Sequence, residues 1–149
     1  MIFDRTQLDV ENAKKIRDNK VKKFIELSEN DLQTLEKGFF TINTANRIES
    51  ALKEIFDFLV DSGYNVIGET KEWTYDGIFD ETEFIRILDN LNLIKSVIKP
   101  KKTTPSTPAV GFSYSILNDI EKIIFDLKTL EENSRKAVFY SGELFTSEV

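Results

Sequence analysis

The chain has 149 residues, a length that suits one domain or two small ones and allows a hydrophobic core without staples. It carries 20 Lys and Arg against 26 Asp and Glu, a net charge of -6, and such a surface repels the phosphates of nucleic acid. It contains no cysteine and no histidine, which excludes disulfides, thiolate or imidazole metal sites, and histidine-based catalytic triads.

Residues 1–38 are predicted to form two short helices. Thr6 is placed as the N-cap of a helix over 7–18. Ser28 can cap a second helix, which Gly38 would end by adopting the left-handed conformation of a C′ residue. The apolar stripes are narrow, so we expect both helices to pack peripherally or against a partner. The first residues lack a signal peptide, and no stretch is long enough to span a membrane, so we expect a soluble protein made in a cytoplasm.

Three longer helices, at about 44–61, 81–98 and 114–138, carry the strongest apolar stripes. Gly63 follows the end of the first helix, and Pro100 stops the second. The third stripe also suits a coiled-coil seam, but it is interrupted before three clean heptads are complete, which favours a packed bundle. We therefore predict a mainly α, single-domain protein, a small bundle of three principal helices with short N-terminal helices, an aromatic loop and an extended tail.

Residues 99–110 contain every proline of the chain and almost no apolar residue. Prolines suppress helix, and the Lys and Thr residues around them bury little apolar area. We therefore expect an extended, exposed connector that leads into the third helix, which Ser113 can cap.

Residues 64–79 are predicted to form a loop with at most a short hairpin. Tyr64, Trp73 and Tyr75 can form a stacking platform for sugars and are candidate glycan-binding residues. The alternative is that the aromatic side chains cover helix ends as part of the core, which is more usual in a small helical fold.

Residues 72–83 can be aligned with a calcium-binding loop, with Gly77 at the sixth position and Glu83 at the twelfth. Glu72 stands at the first position, where Asp is expected. The sequence favours a turn followed by a helix that Asp80 caps, with Glu83 in the capping box, and no metal site. No phosphate-binding glycine motif occurs, and the many acidic pairs suit solvated helix faces, so no cofactor and no catalytic residue is predicted.

Two segments share an Asn-x-Ile-Glu core, Asn46-Arg47-Ile48-Glu49 and Asn118-Asp119-Ile120-Glu121, and each opens a helix with an apolar stripe. Amphipathicity alone can produce such a match. The alternative is two related helices that pack side by side, with each Asn and Glu making polar contacts at equivalent depths.

Residues 139–149 are unusually apolar for a terminal segment. Helix propensity falls at Ser141-Gly142, so we expect the chain to leave the helix there and run extended. Burial would contribute roughly 1.5 to 3 kcal/mol per large apolar side chain, on the chain's own domain or on another chain. The candidate partner-binding residues are Phe139, Tyr140, Leu144 and Phe145.

Short motifs follow one another along most of the chain: Asp4-Arg5-Thr6 with Asp9-Val10, Asn46-Arg47-Ile48-Glu49, Trp73-Thr74, Thr107-Pro108, Asn118-Asp119-Ile120-Glu121-Lys122-Ile123 and Phe139-Tyr140-Ser141-Gly142-Glu143-Leu144. With these motifs the sequence resembles short virion-associated proteins encoded in the tail and baseplate region by phages and prophages of low-GC Gram-positive bacteria. Relatives end in a fuller Ser-Gly-Glu or Cys-Gly-Glu motif, and Thr146-Ser147-Glu148 lacks its glycine.

The resemblance implies a non-catalytic structural component of a phage tail or phage-tail-like particle, located in the virion, and it carries over no catalytic residue. The implied partners are other tail or baseplate proteins and further copies of the chain, with no nucleic acid and no membrane. The alternative function is a glycan-binding or host-recognition module that uses the aromatic loop. A small hydrolase that uses Asp and Glu pairs is the third hypothesis.

Overall fold

The computed structural model describes residues 1–147, with side chains described for residues 1–137. These residues form a mainly helical protein without β-strands, as the apolar stripes predict. None of these helices has the length and apolarity needed to cross a lipid bilayer. In chain order the elements are α1 (Gln7–Ile16), a short π-helix (Arg17–Val21), α2 (Glu29–Gly38), α3 (Ile42–Asp61), α4 (Glu81–Val97) and α5 (Tyr114–Ser147).

The helix starts follow local capping chemistry. Thr6 and Ser28 each form a complete capping box. The Asp80 side chain accepts a hydrogen bond from the Glu83 backbone N–H, as predicted, but the Glu83 carboxylate binds Lys71 and Arg86 and does not complete the predicted capping box. The helix α3 begins earlier than the apolar stripe indicates. Its N-cap is Thr41, whose hydroxyl accepts from the Thr44 N–H at 3.3 Å.

Glycines 38 and 63 have different roles. Gly63 has a φ of 93° and ends α3 with a backbone hydrogen bond from the Tyr64 N–H to the Leu59 carbonyl, the arrangement of a Schellman motif. The prediction for Gly38 is wrong, because this residue is the last of α2 and has no positive φ. A Cβ atom there would collide with Ala13 and with the Asp9 carbonyl, so this glycine allows α1 and α2 to approach each other closely.

The helices α3, α4 and α5 share one hydrophobic core. The core side chains lie on the faces that the stripes predict and are Ile48, Ala51, Leu52, Ile55, Phe56, Leu59, Phe84, Ile87, Leu88, Leu91, Ile94, Ile120, Ile123, Ile124 and Leu127. The helices α1 and α2 pack on each other outside this core and form an N-terminal hairpin.

The connector of residues 99–110 is less exposed than predicted. Lys101 and Lys102 are exposed, but the Thr104 hydroxyl donates to the Asp126 carboxylate on α5 at 2.7 Å. Lys95 on α4 donates to the Pro105 carbonyl at 2.9 Å. Polar side chains of two core helices therefore bind the connector.

The helix α5 contradicts the prediction of an extended segment after Ser141-Gly142, because it continues through Ser147. One serine and one glycine cost at most about 1 kcal/mol each relative to alanine, too little to stop a helix that is already long. Among the described side chains the last core residue on α5 is Leu127, and residues 132–137 are all exposed. The side chains of Phe139, Tyr140, Leu144 and Phe145, and residues 148–149 altogether, lie outside the described part of the structure.

Candidate functional site

Asn46 and Glu49, one turn apart on α3, bind the aromatic loop. The Asn46 Oδ1 accepts from the Trp73 backbone N–H at 2.7 Å, and the Asn46 Nδ2 donates to the Trp73 carbonyl at 3.0 Å. The buried Glu49 carboxylate accepts from the Trp73 indole N–H and from the Lys71 backbone N–H, both at 3.2 Å, and forms an ion pair with Arg86 on α4. We call this pair, Asn46 and Glu49, the α3 clamp.

Asn118 and Glu121 bind the N-terminal segment in the same way. The Asn118 Oδ1 accepts from the Arg5 backbone N–H at 2.9 Å, and the Asn118 Nδ2 donates to the Arg5 carbonyl at 2.9 Å. The Glu121 carboxylate accepts from the Arg5 Nη1 at 2.6 Å and from the Arg47 Nε at 2.8 Å. We call this pair, Asn118 and Glu121, the α5 clamp.

The two clamps occupy the two Asn-x-Ile-Glu segments. In each clamp, the asparagine side chain binds both backbone polar groups of one residue. The amide oxygen accepts from the backbone N–H, and the amide nitrogen donates to the backbone carbonyl. Ile48 and Ile120 are both 1% exposed, and α3 packs against α5. The two helices therefore pack side by side, and each Asn and Glu makes polar contacts, as this hypothesis predicts.

Arg47 extends the α5 clamp to the N-terminal hairpin. It bridges Glu121 and Glu36 on α2, while Arg5 precedes α1, so the hairpin is tied to α5 at two points. Although burial opposes it, the hydrogen bonds and charges of Glu121 and Glu36 raise the pKa of Arg47. The Arg5 Nε and Nη2 atoms are buried and have no hydrogen-bond partner among the described residues.

A cleft of about 900 Å³ opens where α1, the junction of α2 and α3, the aromatic loop and the start of α5 meet. The described residues of its walls include two basic ones, Lys14 and Arg17, and no Asp or Glu. Its aromatic lining consists of Phe39, Phe40, Trp73, Tyr75, Phe79, Phe112 and Tyr114. A concave site that is mainly aromatic and has a few polar groups is the usual form of a binding pocket.

The structure brings only two of the three candidate glycan-binding residues to this cleft. Trp73 and Tyr75 line it, whereas Tyr64 lies at the end of α3, outside the lining. Trp73 also packs against Phe79 at 5.1 Å between ring centroids, so part of the loop covers the core as the alternative predicts. Tyr75 is 94% exposed and offers its ring to a ligand.

Sequence reasoning missed much of the cleft. Lys14 and Arg17 fall within the predicted first helix without a role of their own, and the sequence analysis does not single out Phe39, Phe40 or Phe112. A local signal was present, because the Phe39-Phe40 pair lies between two helices, where polar residues are usual. The side chains of the candidate partner-binding residues Phe139, Tyr140, Leu144 and Phe145 are outside the described residues.

Two of the acidic side chains of residues 72–83 have structural partners. Asp80 caps α4, and Glu83 pairs with Lys71 and Arg86, which removes two of the oxygens that a calcium loop would use. Within the described side chains, no group of three or more carboxylates is placed to hold a metal ion. Comparison of the chain with protein-family models, curated proteins and solved structures finds no match.

Proposed function

We propose that this chain is a non-catalytic structural component of a phage tail or phage-tail-like particle, located in the virion. In this proposal it is a small bundle of three principal helices with an N-terminal hairpin. It acts through contacts with other tail or baseplate proteins and with its own copies. The support from sequence is the ordered set of motifs that resembles virion-associated proteins of phages and prophages.

The observation that carries the proposal is the length of α5 beyond the core. Of the side chains that the structure describes, Leu127 is the last core residue on α5, yet the helix runs to Ser147 and residues 132–137 are exposed. Most helical stability in proteins comes from packing an apolar face, and the sequence after residue 137 is rich in large apolar residues. A partner's surface would supply packing for this apolar end of α5, which follows the exposed residues 132–137.

The use of the buried charges also supports a structural role. Catalytic carboxylates usually stand in a cleft with a raised pKa. Here Glu49 and Glu121 bind arginines and hold chain segments in place. Although burial opposes it, hydrogen bonds from Lys122 and Thr104 lower the pKa of Asp126. These carboxylates stabilise the fold.

Particle incorporation tests the proposal. Mass spectrometry of purified particles should identify this chain, crosslinked to tail or baseplate proteins. A variant that ends at Val138 should remain helical by circular dichroism and should no longer enter particles. Absence of the chain from particles contradicts the structural role. Unfolding of the truncated variant would show that residues 139–149 belong to the chain's own core.

One observation favours the alternative function, a glycan-binding or host-recognition module: Trp73 and Tyr75 line an open cleft with other aromatic rings. Aromatic faces stack on sugars, and Trp73 is the single tryptophan of the chain, so its fluorescence reports on the cleft. Titration with host cell-wall polysaccharide should change this fluorescence if the cleft binds glycan. An unchanged spectrum at saturating polysaccharide rejects the alternative.

A further inference from the structure

We infer that the cleft binds residues 139–148 of a second copy of this chain, so that copies associate head to tail. The inference rests on the proposed function, because it takes these residues to be a partner-binding surface. It adds that the partner is another copy of the chain. It also adds that the receiving site is the cleft lined by Trp73, Phe39 and Lys14.

The geometry of α5 separates the two surfaces. Tyr114, the first residue of α5, lines the cleft. The helix then leads away from it, and at 1.5 Å per residue Phe139 is about 37 Å further along the axis. A segment at one end of a continuous helix does not reach a cleft at the other end of the same helix. The occupant must therefore come from a second copy.

The chemistry of the two surfaces is complementary. The cleft has an aromatic lining and two cations, Lys14 and Arg17, with no carboxylate among its lining residues. Among the described side chains, Lys14 is in no ion pair and Arg17 forms one only with its neighbour Asp18, at 3.1 Å, while its guanidinium lies over the Phe39 ring. Residues 139–148 contain two glutamates and no Lys or Arg. An acidic, aromatic segment is what a basic, aromatic cleft in an otherwise acidic protein would select.

The spacing of the segment suits recognition as a helix. Tyr140 and Leu144 are four residues apart, the spacing of anchors on a helix that binds in a groove. The backbone of α5 is helical to Ser147, so residues 139–147 would bind as the helix that they already form. Little ordering of the backbone would oppose association.

Contact between two different surfaces gives a heterologous interface. Such an interface forms a ring where the rotation between copies closes and an open helical array where it does not. Each copy then offers one cleft and one segment, so a copy that lacks either function ends the array. This property makes the inference testable by mixing variants.

The test uses two full-length variants. Lys14→Glu with Arg17→Glu alters the cleft, and Tyr140→Ala with Leu144→Ala alters the segment. Analytical ultracentrifugation should show self-association of the wild-type chain, monomers of each variant alone, and a one-to-one dimer when the variants are mixed. Lys15→Glu is the matched control, because Lys15 is exposed on the same helix but does not line the cleft.

A peptide of residues 137–149 covers the case of weak self-association. It contains no tryptophan, so any change in the fluorescence of the full chain comes from Trp73 in the cleft. The two cleft substitutions should weaken peptide binding about tenfold or more, and Lys15→Glu should change it little. Circular dichroism of every variant checks that the helices are retained.

A mixture that remains monomeric while Trp73 is unaffected by the peptide overturns the inference. So does a response of Trp73 to cell-wall polysaccharide without a response to the peptide. Incorporation of the wild-type chain into particles together with a negative mixing result would leave the structural role standing and reject only the head-to-tail contact. Absence of the chain from particles together with a positive mixing result would reject the structural role and leave the head-to-tail contact standing.

Discussion

The two clamps carry the same asparagine and glutamate at the same helical spacing, but water reaches them to different extents. In the α5 clamp, the side chains of Glu121 and Arg5 are both 0% exposed. In the α3 clamp, Glu49 is 2% exposed and its partner Arg86 is 13% exposed. An identical local motif therefore holds a fully buried ion pair with Arg5 in one place and an ion pair with the partly exposed Arg86 in the other.

The two clamps also differ in how the charges are shared. Glu121 is the one carboxylate between two arginines, Arg5 and Arg47, of which Arg47 also reaches Glu36. In the α3 clamp the ratio is reversed, because Arg86 lies between Glu49 and Glu83. The comparison indicates that the motif determines which groups of the Asn and Glu side chains make contacts. Burial and the number of charged partners determine how much those contacts contribute to the free energy of unfolding.

The largest effect is expected when each glutamate is replaced by glutamine. Glu121→Gln leaves the fully buried Arg5 guanidinium without a carboxylate, which should cost about 3–5 kcal/mol of unfolding free energy. Glu49→Gln should cost clearly less, because Arg86 keeps Glu83 and the Glu69 carbonyl as acceptors. Urea unfolding followed by circular dichroism measures both, and equal losses would contradict the comparison.

A second prediction concerns the asparagines. Asn46→Ala and Asn118→Ala each remove two hydrogen bonds to one backbone residue, and each should cost about 1–3 kcal/mol. The location of the effect should differ. Asn46→Ala should shift Trp73 emission to longer wavelength, because it releases the aromatic loop, whereas Asn118→Ala should leave the emission unchanged.

Limited trypsin digestion should respond to Asn118→Ala and not to Asn46→Ala, the reverse of the fluorescence measurement. Asn118→Ala should expose the peptide bond after Arg5 to cleavage, because it frees the backbone that Asn118 holds at both polar groups. Asn46→Ala should not change cleavage at this position. Identical fluorescence and cleavage patterns for the two variants would show that the clamps are not independent.

Local features of the fold were predictable because their causes are local. The capping side chains of Thr6, Ser28 and Asp80 bind backbone groups three residues away, and the apolar stripes repeat within each helix. The role of Gly38 was not predictable, because the close approach that requires glycine is to a different helix. The length of α5 was missed because one glycine was given more weight than a long helix allows.

The partners of the clamps lay beyond sequence reasoning for the same reason. The repeated Asn-x-Ile-Glu core indicated polar contacts at equivalent depths, but it did not name their partners. Arg5 and Glu121 are 116 residues apart, and Glu49 and Arg86 are 37 apart. Such pairs follow from how the elements pack, as does the cleft, which α1 and the aromatic loop form together.

A third prediction isolates one bond of the α3 clamp. Trp73→Phe removes the indole N–H that donates to Glu49 at 3.2 Å but keeps an aromatic ring next to Phe79. The loss in unfolding free energy should be about 0.5–1.5 kcal/mol in the wild-type background. It should shrink in a Glu49→Gln background, where the acceptor is no longer charged. The loss caused by Trp73→Phe should be unchanged in a Glu121→Gln background. A smaller loss in that background would show that the two clamps are coupled.

The smallest expected effect is a pH dependence at the outer edge of the α3 clamp, where Glu83 binds Lys71 and Arg86. The hydrogen bond from Lys71 lowers the pKa of Glu83 below its ordinary value of 4.5, against the opposing effect of burial, and Arg86 adds to the lowering. Because the folded pKa is below the unfolded pKa, the ionised carboxylate stabilises the fold fully above about pH 4.5. This contribution is lost as the pH falls through the folded pKa.

The urea midpoint should therefore fall on acidification below about pH 4.5, and less so in Glu83→Gln than in the wild-type chain. Other ion-paired carboxylates contribute to the fall in both proteins, so the difference between the two curves is the quantity that reports on Glu83. Glu81→Gln is the matched control, since Glu81 is exposed in the same first turn of α4 and is in no ion pair among the described side chains. If Glu81→Gln and Glu83→Gln reduce the fall equally, the outer ion pairs add nothing to the α3 clamp. Its stability would then rest on Glu49 and Arg86 alone, as that of the α5 clamp rests on Glu121 and its two arginines.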